Sequence, residues 1–127
     1  VSKPPMKIIT VKQPWAHLIV HYGKDIENRS WNTHYRGQLL IHAGKGICKR
    51  GMRLMPKDAK QDIMIHGAII GICRLSDVLM DSSSQWFEGP WGFELEGAYP
   101  IDPIYCKGQL GLWNPTPEIM KHFTSSE

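Results

Sequence analysis

The stretch Gly67-Ala68-Ile69-Ile70-Gly71-Ile72-Cys73-Arg74-Leu75 decides the fold class. It is apolar almost throughout, rich in β-branched isoleucine, and short. Those properties together read as a strand buried in the interior. Its two glycines mark a bend or a place where another segment comes close to the backbone. A central strand over 67–75 is the element around which the rest is arranged.

Upstream of it, Ile47 to Met55 reads as a helix, weakened by roughly 1 kcal/mol at Gly51 relative to alanine and ended by Pro56. Leu39 to His42 reads as a strand that stops at a loop of Ala43, Gly44, Lys45 and Gly46. Asn32 to Gly37 is a turn, and Lys24 to Trp31 an extended segment at the edge of a cleft. Pro14 suits a first helical position. Ala16, Leu18, Ile19 and Val20 continue a short helix with Gly23 as its stop, and Met6 to Val11 is a buried strand. Downstream, Asp81 to Ser84 is a loop, Trp91 to Leu95 a strand, Tyr99 to Pro103 an extended turn, Leu110 to Trp113 a short strand, and Pro117 opens a last helix to Phe123. About five or six short strands with two or three short helices predict a mixed α+β barrel. No repeat interrupts it, and residues 1–127 read as a single domain with its core over 6–114.

Composition sets the class of partner. The chain has 127 residues, 42% of them hydrophobic, and a formal net charge of +3. The cations crowd between Lys24 and Lys60, whereas Glu88, Glu94, Glu96 and Asp102 lie towards the C-terminus. One basic side of the fold is expected, either a face for an anionic partner or an ordinary solvated surface. Cys48, Cys73 and Cys106 are odd in number and form no CxxC pair, which argues against a disulfide framework or a zinc knuckle and for a reducing compartment. No apolar run approaches the roughly 20 residues of a membrane span, and VSKPPMKIIT lacks the apolar core of a signal peptide. The cytoplasm is the expected setting, with no membrane partner.

Chemistry concentrates in Gln13-Pro14-Trp15-Ala16 and in Gly23-Lys24-Asp25-Ile26-Glu27-Asn28-Arg29-Ser30-Trp31. Lys24 and Arg29 can bind an anion while Glu27 holds the two cations in place or exchanges protons. Trp15 and Trp31 offer faces on which a base can stack. The alternative is a surface strand with ordinary ion pairs and two core tryptophans. Side chains on a regular strand alternate faces, so Lys24 and Glu27 share a cleft only if Lys24 lies in a loop or the strand is bulged. The glycines of His42-Ala43-Gly44-Lys45 could present N–H groups to a phosphate, or make a simple turn. His17 and His21 have the spacing of metal ligands on one helix face without supporting ligands, so no metal and no cofactor is expected. Trp86, Trp91 and Trp113 read as core or cleft wall, and Ser82-Ser83-Ser84 as a flexible loop.

These residues resemble the signature G-x-K-x-x-E-x-R of the ASCH (activating signal cointegrator homology) family. Lys24, Glu27 and Arg29 take its Lys, Glu and Arg, while the glycine stands next to the lysine at Gly23 and Tyr22 takes the usual glycine place. The flanking KQPWAHLIV, ENRSW, YRGQLLIHAGK, GPWGFEL and CKGQLGLW are also similar to the family, so the resemblance runs from about residue 7 to 114. It implies a small β-barrel related to PUA domains, a cleft where barrel meets helix, and an RNA-related role. Some members resemble nucleases, and a small bacterial subgroup removes acetyl groups from acetylcytidine, using a threonine where this chain has Glu27.

Three functions follow as expectations. In the first, the cleft binds single-stranded RNA or a modified nucleotide through Gln13, Trp15, Lys24, Glu27, Arg29, Lys45 and Trp91, with Arg29 and Lys45 on phosphate and Trp15 or Trp91 stacked on a base. In the second, the same cleft is that of a hydrolase, a ribonuclease or an acetylcytidine amidohydrolase. There Lys24 activates a nucleophile and Glu27 relays the proton, with Glu88 or Glu94 as a further carboxylate. The third is a protein-interaction module of the coactivator kind. An adaptor usually has a second domain to connect, and none is read in this chain.

Overall fold

The structure, a computed structural model, describes residues 5–123. The first four residues of the stretch read for a signal peptide lie outside that range. The predicted central strand is β4, Ala68–Leu79, and it lies inside a six-stranded sheet. Its companions are β1 (Met6–Gln13), β2 (Ile26–Arg29), β3 (Gly37–Ile47), β5 (Trp91–Tyr105) and β6 (Leu112–Trp113). The order across the sheet is β2-β5-β4-β3-β1-β6. β1 and β3 run parallel and every other pair runs antiparallel. A parallel pair cannot be closed by a tight turn. Here the chain crosses over through α1 (Trp15–His21) and β2 before returning as β3. Two further short helices, α2 (Lys49–Leu54) and α3 (Pro117–Met120), flank the sheet. The architecture is the expected mixed α+β barrel, here a six-stranded curled half-barrel with a few short helices.

The apolar runs are continuous because both faces of the sheet are covered. Ile9, Leu39, Ile41, Ile70 and Leu75 point into the principal core with Phe93 and the buried side of α1. Their neighbours Ile8, Leu40, Ile69 and Ile72 point the other way, into a second cluster closed by Trp113 and Ile119. Burying one such side chain contributes about 1.5–3 kcal/mol. Gly71 is the close approach that its sequence context predicts. A Cβ there would lie 2.5 Å from Cγ2 of Val20 on α1 and 2.9 Å from the Tyr99 carbonyl oxygen.

Two boundaries differ from expectation. β3 does not stop at His42 but runs through the supposed loop to Ile47, because Ala43 finds partners in both Val11 and Ala68 and Ile47 pairs with Gln13. The glycines there serve packing rather than a turn, since a Cβ on Gly44 would meet the Thr10 methyl at 2.9 Å. Likewise Tyr99 to Pro103 is not a turn but part of one long β5. β2 covers only Trp91 to Glu94 of that strand. Pro100 and Pro103 therefore fall where β5 has β4 on one side alone, an edge that tolerates proline.

The sheet curls until its two margins nearly meet. β6 covers β1 only at Ile8 and Ile9. Beyond it, Arg29 of the opposite edge strand β2 donates from Nη2 to the Thr10 carbonyl of β1 at 2.9 Å. The incomplete seam between β1 and β2 is where a cleft forms. No helix among the described residues is long and apolar enough to cross a membrane.

Candidate functional site

Lys24 is positioned by the end of α1. Tyr22 N–H and Lys24 N–H both donate to the Leu18 carbonyl, at 3.0 and 3.1 Å, with Gly23 between them at φ +71°. The chain turns back over the end of α1 there, and the left-handed residue the turn needs is the glycine. Lys24 thus belongs to the helix exit and not to β2, which starts at Ile26. The alternation problem disappears. Glu27 and Arg29 share one face of β2, and Lys24 reaches that face from the loop.

The three charged ends meet. Lys24 Nζ donates to Glu27 Oε1 at 3.1 Å and to the Ile26 carbonyl, and stands 5.3 Å from the centroid of the Trp15 ring. Arg29 Nε donates to Glu27 Oε2 at 3.0 Å. Lys24 and Glu27 are only 4% and 7% exposed, so this is a buried network in which one carboxylate holds two cations. Two of the three ammonium donors are engaged, which leaves Lys24 capacity for a ligand.

Three neighbouring hollows share lining residues with one another, and two of them border the network. The inner one, about 320 Å³, is lined by Lys24, Glu27, Trp15 and, from elsewhere in the chain, Arg50, Trp86 and Glu88. The middle one, about 550 Å³, follows the seam between β1 and β2 and shares Trp15, Glu27 and Asn28 with the inner one. Lys12, Arg29, Trp31 and Lys45 also line it. The distal one, about 400 Å³, shares Thr10, Lys45 and Leu110 with the middle one and adds His42 and Lys107. Charge varies along the series. Lys24 and Arg50 face Glu27 and Glu88 in the inner hollow, a balanced set. Lys12, Arg29 and Lys45 face Glu27 alone in the middle hollow. Among the described residues no carboxylate lines the distal one.

The segment before β5 forms the far wall. Asn28 Nδ2 donates to the Trp86 carbonyl at 3.0 Å, and its Oδ1 accepts from the N–H groups of Glu88 and Gly89 at 2.8 and 3.0 Å. Ser84, in the stretch read as a flexible loop, donates to Asp25 at 2.6 Å and accepts from Trp86 N–H. Arg50 forms a two-pronged pair with Glu88, including an Nη1 to Oε1 bond of 3.1 Å. The Arg50 hydrogen bonds hold the Glu88 carboxyl below the usual carboxylate range. Cys48 caps α2 by accepting from Gly51 N–H, and that bond lowers its thiol pKa, whereas burial pushes Cys73 up to about 12.

Of the residues read from sequence, Trp15, Lys24, Glu27, Arg29, Trp31 and Lys45 line the inner and middle hollows. Gln13 does not. It is buried, its amide N–H₂ donates to the Ile65 carbonyl at 2.8 Å and its Oε1 caps α1 at His17 N–H at 2.9 Å. Trp91 also lies away from the hollows and packs against the principal core. Trp113 is buried under the second cluster. Glu94 accepts from Ser76 rather than facing the cleft, whereas Glu88 lines it. His17 pairs with Asp62 at 2.8 Å, and among the described residues no group of three or more His, Cys, Asp or Glu is placed to hold a metal. The basic side is also less basic than its sequence. Lys24, Arg29, Arg36 and Arg50 are held in ion pairs. Two lysines of the groove, Lys12 and Lys107, fall outside the 24–60 stretch. Sequence reasoning missed Arg50 and Asn28, though Asn28 stands inside ENRSW.

The sequence profile of the ASCH domain matches residues 9–107, most of the chain. Among solved structures, the fold is similar to that of ASCH from Zymomonas mobilis, at a TM-score of 0.61 and 16% identity, over 94% of this chain and 93% of that one. A serine-to-alanine variant of the Zymomonas mobilis protein aligns at a TM-score of 0.60 and 16% identity, over 97% and 96% of the two chains. A tyrosine-to-phenylalanine variant aligns at 0.58 and 17%, over 94% and 96%. At such identities the likeness is one of fold. No curated protein matches the sequence.

Proposed function

Since this chain belongs to the ASCH domain family, we propose that its cleft binds a nucleotide of single-stranded RNA, the base in the inner hollow and the phosphate in the middle one. One observation carries this reading. A charge-balanced hollow walled by Trp15 and Trp86 shares Trp15, Glu27 and Asn28 with one lined by Lys12, Arg29 and Lys45. A base is neutral, planar and rich in hydrogen-bonding edges, and aromatic walls suit it. A phosphate needs uncompensated cations. The three cysteines are free, which supports a role in the reducing cytoplasm. The test is a titration with single-stranded RNA at several salt concentrations. Affinity should fall as salt rises, because each phosphate bound releases counterions. Lys45→Ala should weaken all sequences about equally, since a phosphate contact carries no base information. Absence of binding at low salt would overturn the reading.

The burial of Lys24 against Glu27, both in the wall of the inner hollow, favours a second reading in which the cleft also hydrolyses its ligand. A base role requires the neutral amine. Arginine stays protonated in proteins, so Lys24→Arg separates the roles. In a hydrolase, turnover of RNA or of an acetylated cytidine nucleoside should fall about 10²–10⁴-fold while affinity holds within a few-fold. In a pure binder, Lys24→Arg should leave affinity nearly unchanged and only Lys24→Ala should weaken it. If the unmodified protein turns over neither substrate class, the hydrolase reading fails.

A further inference from the structure

The distal hollow takes no part in holding one nucleotide, yet it continues the same groove. Lys45 stands on the wall it shares with the middle hollow, and Lys107 stands beyond. No ion pair among the described residues neutralises either lysine. Their charges are therefore available to an anion, and among the described residues no carboxylate in the lining repels one.

Two other residues shape the hollow. Leu110, on the rim shared with the middle hollow, is 97% exposed. It leaves an apolar side chain in water beside cations, a place for the face of a base. His42 lines the hollow at 1% exposure. Its Nε2 lies 2.8 Å from the Cys106 carbonyl, which can only accept, so Nε2 donates there and Nδ1 is left to find another partner. That Nδ1 is the one buried side-chain polar atom without a hydrogen-bond partner among the described residues, and buried polar groups are normally satisfied. The segment over the hollow is seated closely, since a Cβ on Gly108 would lie 2.7 Å from Thr10 Oγ1 and 2.9 Å from His42 Cε1.

We infer that the distal hollow is a second nucleotide subsite, holding the next phosphate of an RNA strand between Lys45 and Lys107 with the adjoining base against Leu110. The ligand is then a strand that runs along the seam, rather than a free mononucleotide. This rests on the reading of the inner and middle hollows given above, and its consequence is a dependence of affinity on length.

The experiment is isothermal titration calorimetry with uridine monophosphate and with oligouridylates of two, three and four nucleotides, each at several salt concentrations. Affinity should rise by about tenfold or more between the monophosphate and the trinucleotide. The slope of log affinity against log salt should steepen by about 0.7 for each further phosphate held. Lys107→Ala should weaken the tetranucleotide several-fold and remove about 0.7 of that slope, while leaving the monophosphate within twofold. Leu110→Ala should weaken the tetranucleotide without changing the slope. Lys57→Ala removes the same charge from outside the groove and should change neither. If the monophosphate binds and added nucleotides gain nothing, the second subsite is overturned and the nucleotide cleft stands. If no ligand binds, both fall. Equal weakening by Lys57→Ala and Lys107→Ala would mean that net charge, not a site, governs the effect, and would also overturn the inference.

Discussion

At the scale of the residue, Glu27 organises the cleft. Its two oxygens separately hold Lys24 and Arg29, each near 3 Å, in a network almost closed to solvent. Replacing it by glutamine keeps the shape and removes the charge, leaving the buried Lys24 and the half-buried Arg29 without their anion. Breaking a buried pair by removing one partner costs about 3–5 kcal/mol. Glu27→Gln should therefore lower unfolding free energy by that order, measured by denaturant titration. Lys45→Ala, at an exposed lysine, should stay within about 0.5 kcal/mol. If the two variants cost the same, Glu27 is not the centre of a buried network. The residues of this network were legible because they stand within six positions of one another. The way Lys24 reaches Glu27 was legible only in part, since Gly23 announced a helix end but not the double acceptance by the Leu18 carbonyl. Arg50, Trp86 and Glu88 come to the same hollow from distant positions. Nothing local in the chain marks that meeting, which depends on how α2 and the segment before β5 pack.

At the scale of the element, α2 shows how packing overrules propensity. Gly51 weakens this six-residue helix, and alanine in its place would favour the helix by about 1 kcal/mol. But Gly51 faces Trp15. A Cβ there would lie 2.9 Å from Pro14 Cδ and from Trp15 Cε2 and Cζ2, closer than packed atoms sit, so helix or indole must move. Overpacking of this kind costs about 1–3 kcal/mol, which cancels or exceeds the gain. Gly51→Ala should lower the melting temperature and also weaken RNA binding, because Trp15 walls both the inner and middle hollows. A more stable variant with unchanged binding would show that Trp15 is not held by α2. The same balance explains the misread ends of β3 and β5. Glycines at 44 and 46 and prolines at 100 and 103 look like breakers in the chain. The sheet uses the first pair for close contact and confines the second to an edge.

At the scale of the molecule, class and composition were legible but topology was not. Continuous apolar runs and β-branching located most strands. Nothing in the sequence announced that β1 and β3 run parallel, or that β2 would close against the opposite margin. That closure is the point at which fold and site depend on each other. β2 is four residues long and has only β5 as a hydrogen-bonded neighbour. Across the seam, Arg29 ties it to the Thr10 carbonyl while holding Glu27. A short edge strand with one neighbour belongs to the low-stability end of a structure and can open without the rest. Arg29→Ala removes the clasp, so amide hydrogen exchange in β2 should quicken selectively. Protection of the amides that pair β3 with β4, deep in the sheet, should follow only the change in global stability. Arg29→Lys keeps one charge near Glu27 but loses the planar fork that reaches two acceptors at once, and should give an intermediate effect. If Arg29→Ala speeds exchange in β2 and in β3–β4 to the same extent, the seam has no separate opening and Arg29 stabilises the whole barrel instead. If β2 exchange does not change, the pairing with β5 alone holds the cleft wall, and the guanidinium is left free to serve the ligand.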